Sequence, residues 1–189
     1  MDWEEIYKSK EKPAWDIGKP QQALIDYLSQ NRPQTAIDIG CGTGSSATYM
    51  ANKGIKTTGI DFSKNAIKQA KAKKSKNKPL YAIKDVLKLI YANKFDFAYD
   101  SGCFHMLEPE KRKKYALVIN KLLKKQGRLL LLCFSEHEPD WGGPYRIIKQ
   151  ELEETFAKFK IISINETEFK ANDLGHASHK AYAMLAEKI

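Results

Sequence analysis

The run Asp38-Ile39-Gly40-Cys41-Gly42-Thr43-Gly44, followed by Gly59-Ile60-Asp61, constrains the fold of this chain more than any other segment. A short apolar strand, a glycine turn, a helix and a second strand ending in an acid make half of a nucleotide-binding α/β unit. Glycines let the backbone turn sharply and approach a ligand with no Cβ in the way. The spacing is Gly40-x-Gly42-x-Gly44, and Ser45 stands where the dinucleotide fingerprint has its last glycine. No Gly-Lys-Ser or Gly-Lys-Thr follows, so this is not a phosphate-binding P-loop.

The rest of the chain extends that half unit. Residues 1–19 are polar with aromatic punctuation at Trp3, Tyr7 and Trp15, and Pro13 is expected to break any early helix. Pro20 is expected to open a helix striped by Ala23, Leu24, Tyr27 and Leu28. Strands are predicted at 35–39, 56–60, 80–83, 95–99 and 128–134. Helices are predicted between them: one from Ser45 stopped by Gly54, one capped by Ser63 and running to about Ser75, and one opened by Pro109 and ended by Gly127. A breaker-rich loop from Ser135 to Pro144, a helix near 148–156 and two strands at 159–169 and 181–186 complete the chain. The expectation is an α/β, three-layer Rossmann-like fold with a mostly parallel seven-stranded sheet ending in an antiparallel hairpin. One domain is expected over 1–189, with 1–34 as its amino-terminal cap segment and helix; no internal repeat interrupts it.

Charge and cysteine usage narrow the function classes. The net charge of +9 raises the question of nucleic acid, yet arginine occurs only at 32, 112, 128 and 146, and the lysines are spread over many segments. Solvated helix faces account for the lysine clusters. Cys41, Cys103 and Cys133 lie in or beside apolar runs with no CxxC pair, which argues against disulfides and structural zinc. No apolar run is long enough to span a membrane, and MDWEEIYKSKEKPAW lacks the apolar core of a signal peptide. A cytoplasmic enzyme is expected, with no membrane partner and nucleic acid disfavoured.

The glycine spacing points away from NAD and toward S-adenosylmethionine. Asp61, 21 residues after Gly40, can take both hydroxyls of a ribose. Asp85 can receive an adenine amine or cap a turn, and Asp38 can serve the ligand or pair near the glycine turn. The chain resembles class I S-adenosylmethionine-dependent methyltransferases over essentially its whole length. The subgroup it resembles is the small-molecule one of the thiopurine and tellurite-resistance type, through the segment from Pro13 to Gln21, Ser101-Gly102-Cys103-Phe104-His105, and Leu129 to Ser135 with Glu138-Pro139. It departs from the subgroup in Pro13-Ala14-Trp15, where Pro-Trp is usual, and in Ser101, where arginine is frequent. The resemblance implies that the methionine half of the cofactor lies near Asp38, Gly40 and Gly102, within a turn that includes Cys41, Gly42 and Gly44. It further implies ribose on Asp61, adenine beside Phe62, Asp85 and Val86, and Trp15 covering cofactor or substrate.

Methyl transfer from a sulfonium needs alignment and exclusion of water more than a covalent group. His105, after the fourth strand, is the candidate for chemistry, either as a base or as a group that orients substrate. Cys103 lacks the preceding proline of cytosine C5 methyltransferases, and no Asn/Asp-Pro-Pro-Tyr segment of amino-group methylases is present. Trp141 and Tyr145 in the loop after the fifth strand are expected to wall an apolar substrate pocket, together with Trp15 and His105. His176 and His179 are expected in a solvent-facing loop, with approach to the pocket as the alternative and no metal site. The expected function is methylation of a small aromatic or heterocyclic S, O or N nucleophile by a monomer or weak homodimer. The alternatives are an RNA or protein methyltransferase, and a cofactor-binding protein without turnover.

Overall fold

The computed structural model describes residues 2–9, 11–172 and 178–189. Six α-helices and seven strands are seen among them: α1 (Trp3–Lys8), α2 (Gln22–Gln30), β1 (Thr35–Ile39), α3 (Ser45–Asn52), β2 (Lys56–Asp61), α4 (Lys64–Ala72), β3 (Leu80–Ile83), β4 (Phe95–Ser101), α5 (Pro109–Leu122), β5 (Leu123–Phe134), α6 (Lys149–Thr155), β6 (Phe159–Lys170) and β7 (Ser178–Lys188). Short 3-10 turns at Val86–Lys88 and Phe104–Met106 follow β3 and β4. The sheet order is β3-β2-β1-β4-β5-β7-β6. The first five are parallel, and β7 runs antiparallel to both β5 and β6. The mostly parallel seven-stranded sheet with its terminal hairpin is therefore as expected from the sequence.

Strand β5 shows why the centre of the sheet is so apolar. Leu129, Leu131 and Cys133 face a core with Tyr115, Ile119 and Leu122 of α5 and Leu152 of α6. Leu130, Leu132 and Phe134 face the opposite core, with Leu24 and Leu28 of α2 and Met50 of α3. A strand covered on both faces reads as an unbroken apolar run because neither set of alternate residues meets water. The order reverses at β1, and there the carboxyl ends of β1, β2 and β4 open a crevice.

Several boundaries differ from the sequence reading. Helix α1 was not expected; Asp2 caps it by accepting from the N–H groups of Glu4 and Glu5 at 3.1 and 3.2 Å. Pro20 does not open α2, which begins at Gln22. Gln21 stands between them because its amide pairs with the backbone of Lys170, donating at 2.9 Å and accepting at 2.8 Å. Gly127 does not end α5. That helix stops at Leu122, and the chain turns through Gln126 at φ 62°. Gly127 is needed there for space: a Cβ on it would lie 2.8 Å from the Lys124 carbonyl oxygen. Strand β7 begins at Ser178, three residues earlier than the apolar pattern indicated.

Candidate active site

The glycine turn is held by backbone bonds before any ligand is considered. The Cys41 N–H donates to the Ile60 carbonyl at 2.9 Å, and the Gly44 N–H to the Cys41 carbonyl at 2.8 Å. Gly40, Gly42 and Gly44 all take positive φ, at 63°, 51° and 81°. Gly40 is also pressed against the next loop: a Cβ there would lie 2.9 Å from the Cys103 Cβ. Asp61 braces this turn from β2. One carboxylate oxygen accepts from the Gly42 N–H at 2.9 Å and the other from the Ser63 N–H at 2.9 Å. Each oxygen keeps lone-pair capacity beyond its single backbone bond. Asp61 thus has a structural duty that the sequence reading did not assign to it.

Two cavities meet over the turn. The smaller, of about 70 Å³, takes in Asp38, Gly40, Cys41, Gly42, Thr43, Ser46 and Trp15. Asp38 is buried at its floor, and its Oδ2 has no hydrogen-bond partner. Burial pushes its pKa up to about 8, against the Ala47 N–H that favours the anion, and the charges of Asp100 and Asp61 add to the rise. An orphaned buried carboxyl oxygen on a residue that lines a cavity is a ready partner for an ammonium group.

The larger cavity, of about 280 Å³, is rich in aromatic rings. Asp61, Phe62, Gly40 and Gly102 line the side next to the glycine turn, and His105, Met106, Phe134, Trp141, Phe169 and His179 its far side. Trp3 and Trp15 come in from the amino-terminal segment, with ring centroids 5.4 Å apart and edge to face. Trp15 donates its indole N–H to the Tyr7 hydroxyl at 3.1 Å, which fixes the ring over the turn. Asp16 follows it and accepts the Thr43 hydroxyl at 2.7 Å, so this segment is fastened to the glycine turn itself.

His105 is buried, and its ring is fixed by its surroundings. Its Nδ1 accepts the Phe134 N–H at 2.9 Å, and its carbonyl accepts the Tyr145 N–H at 3.0 Å. Burial, then the nearby charges of Arg146, Arg112 and His179, hold its pKa down to about 3. Cys103 also lines this cavity, and burial keeps its thiol well above the ordinary range. It is therefore a neutral wall group.

The loop between β5 and α6 folds over the far side. Arg146 organises it, donating to the carbonyls of Glu138, Pro139, Gly142 and Pro144. Its guanidinium lies 4.8 Å from the Trp141 ring centroid. Trp141 in turn donates its indole N–H to Glu138 at 2.8 Å.

Some expected site residues lie elsewhere. Asp85 caps the 3-10 turn by accepting from the Leu87 N–H at 2.9 Å, and Val86 packs in the core; neither lines the two cavities. Gly44 also lies outside both linings, under the Tyr81 hydroxyl. Tyr145 points toward Arg112, 4.9 Å from its ring centroid, and is outside the linings as well. The solvent-facing expectation for His179 is overturned. It is buried on β7, with Nδ1 2.8 Å from Glu138 Oε1, and it lines the larger cavity. It points inward because β7 begins early enough to pair His179 with Phe169. His176 lies outside the described residues. The sequence reading missed Tyr7, Phe134 and Phe169; only the period-two position of Phe134 at the end of β5 hinted at any of them.

Comparison with known proteins agrees with this geometry. The pattern of the thiopurine S-methyltransferase family matches residues 1–188. A probable thiol methyltransferase 2 of Arabidopsis thaliana is 31% identical over 174 residues, covering 88% of this chain and 76% of its own. The 2-heptyl-1-hydroxyquinolin-4(1H)-one methyltransferase of Mycobacteroides abscessus is 28% identical over 155 residues, covering 78% and 68%. Among solved structures, one from work on conversion of a disulfide bond into a thioacetal group during echinomycin biosynthesis superposes with a TM-score of 0.86. It is 24% identical and covers 98% of this chain and 91% of that one, which bears on the fold alone.

Proposed function

The chain belongs to the thiopurine S-methyltransferase family, and on that premise we propose how its two cavities divide the work of an S-adenosylmethionine-dependent methyltransferase. The cofactor supplies a methyl group on a positively charged sulfur. The protein's task is to align an acceptor with that group and keep water away. In this reading the methionine end of the cofactor occupies the smaller cavity, its ammonium on Asp38 and its carboxylate beside Gly40 and Gly42. The ribose hydroxyls use the remaining lone pairs of Asp61, and the adenine lies against Phe62 with Asp85 and Val86 beyond it. Trp15 covers the sulfonium, whose charge is attracted to an aromatic face.

The acceptor then occupies the far side of the larger cavity, between His105, Phe134, Trp141, Phe169 and His179. The observation that carries this reading is that Asp61 and Phe62 line the same cavity as His105 and Trp141. Cofactor and acceptor therefore share one chamber. Its aromatic lining suits a small thiol, phenol or nitrogen heterocycle better than an RNA strand or a protein side chain. We propose that the enzyme works on a diffusible acceptor, in the cytoplasm, as a monomer or weak homodimer formed from one domain.

Calorimetric titration with S-adenosylmethionine and with NAD, followed by incubation with 4-nitrothiophenol, tests the reading. Micromolar binding of the former alone, and an S-methyl product by mass spectrometry, are the expected results. A folded protein that binds neither nucleotide would overturn the cofactor assignment.

A further inference from the structure

The two nitrogens of His105 are committed to different roles by the fold. A backbone N–H can only donate, so the bond from the Phe134 N–H at 2.9 Å makes Nδ1 an acceptor. In a neutral imidazole the proton then resides on Nε2. Nε2 lies beside Gly102, 3.3 Å from where a Cβ on that glycine would stand, and both residues line the chamber. The ring is wedged between Phe134 and Phe169, at centroid distances of 4.6 and 5.9 Å. Turning the ring over would put its Cδ2–H against the Phe134 N–H, and moving the proton to Nδ1 would set two donors against each other; either leaves that buried N–H without an acceptor.

We infer that His105 presents a permanent Nε2–H donor to the methyl acceptor and takes no proton from it. The inference rests on the acceptor occupying the chamber proposed above. To act as a base at Nε2 the ring would have to lose its present proton, and protonation at Nδ1 is blocked by the Phe134 N–H. The charged groups around it oppose an imidazolium too. Arg112 approaches from α5 and Arg146 from the loop before α6, while His179 on β7 is paired with Glu138. Asp100, behind the turn that carries His105, is occupied by Tyr115 and by the N–H groups of Cys103 and Phe104.

An atom placed at that N–H must offer a free lone pair. Because His105 takes no proton, the acceptor class is one that arrives already ionised or never carried the proton: acidic thiols as thiolates, acidic hydroxylated heterocycles, and pyridine-type nitrogens. A thiolate sulfur forms the new bond to carbon, the electron pair of the broken bond stays on the cofactor sulfur, and charge cancels. No proton moves in the step. The Nε2–H helps to hold the thiolate in line.

Two measurements test this. In histidine-15N-labelled protein, long-range 1H–15N spectra should show His105, assigned by its loss in His105→Gln, as the Nε2–H tautomer without titration between about pH 5 and about pH 8. Titration in that range, or an Nδ1–H tautomer, overturns the inference. The second measurement is the pH profile of kcat/KM for 4-nitrothiophenol, thiophenol and benzyl mercaptan, whose thiols ionise at successively higher pH. The rising limb should move with each thiol's own ionisation, in wild type and in His105→Gln alike. His105→Gln, which keeps an N–H near Nε2, should lose about tenfold, and His105→Leu on the order of a hundredfold. A limb fixed at one pH for all three thiols in wild type, with a loss of ~10²–10⁴ in His105→Gln, makes His105 the base and overturns the inference. If no thiol is methylated while the tautomer is as stated, the thiol reading under the proposed function fails and the assignment of His105 as a donor stands.

Discussion

At the scale of single residues, the site stores an acid in its uncharged form. Asp38 is buried with one oxygen unpaired, and its pKa in the folded protein, about 8, lies far above its ordinary value. The folded protein therefore holds more protons than the unfolded chain between about pH 4 and about pH 8, and stability falls as pH rises through that window. Asp61 and Asp100, also raised by burial, act with the same sign. An ammonium ligand needs the anion, so cofactor binding below about pH 8 should expel a proton. Affinity should strengthen as pH is raised toward that value. Calorimetry in buffers of different ionisation enthalpy reads the released proton directly. Asp38→Asn should flatten the fall of melting temperature with pH, abolish the proton release and weaken cofactor binding by roughly tenfold or more. Unchanged proton release in that variant would remove Asp38 from the ammonium site.

At the scale of elements, the decisive part is the one whose sequence looked least regular. Helix α1 is only six residues long and has few contacts of its own to keep it helical. It is bolted to the start of α4 by Glu4, whose carboxylate accepts from the Lys64 N–H at 2.7 Å, the Asn65 N–H at 3.1 Å and the Ser63 hydroxyl at 3.0 Å. A carboxylate over free N–H groups at a helix start is a favourable arrangement. The bolt sets Trp3 edge-on between Phe62 and Trp15, and so roofs the chamber. Glu4→Ala should speed tryptic cleavage at Lys8 and lower cofactor affinity several-fold, while the melting temperature of the cofactor-free protein changes little. Equal cleavage rates in the two proteins would show that α1 is held by other contacts. The cap at Asp2 and the two acids after it are a local helix-start signal that the sequence reading passed over. The partner of Glu4 was not, because Lys64 is 60 residues away and the bond runs to its backbone.

At the scale of the whole molecule, one sheet carries everything described. The two cores lie on its opposite faces and share β5. We expect thermal unfolding in a single cooperative transition, shifted upward by S-adenosylmethionine as its concentration exceeds the dissociation constant. Two separated transitions by calorimetry would refute the single-domain reading. Much of this architecture was legible in the chain. The alternation of strands and helices, the apolar run of β5 and the glycine turn are local or periodic signals, set by backbone sterics and by burial on two faces. Asp61 was legible for the same reason, since its place at the end of β2 is fixed by strand length. The acceptor side was not. Phe134, Phe169 and His179 lie on three strands and meet only because β7 turns back antiparallel between β5 and β6. The sequence also carried His105 as a candidate base or orienting group, but not its polarity. That was decided by the Phe134 N–H, 29 residues away, which occupies Nδ1 and leaves the proton on Nε2, beside Gly102. Sequence alone determined the fold, the glycine turn and the place of Asp61 at the end of β2, because those rest on short-range patterns. Tertiary structure decided the chamber and the direction of its hydrogen bonds, because those rest on which distant backbone and side-chain groups are brought within 3 Å of each other.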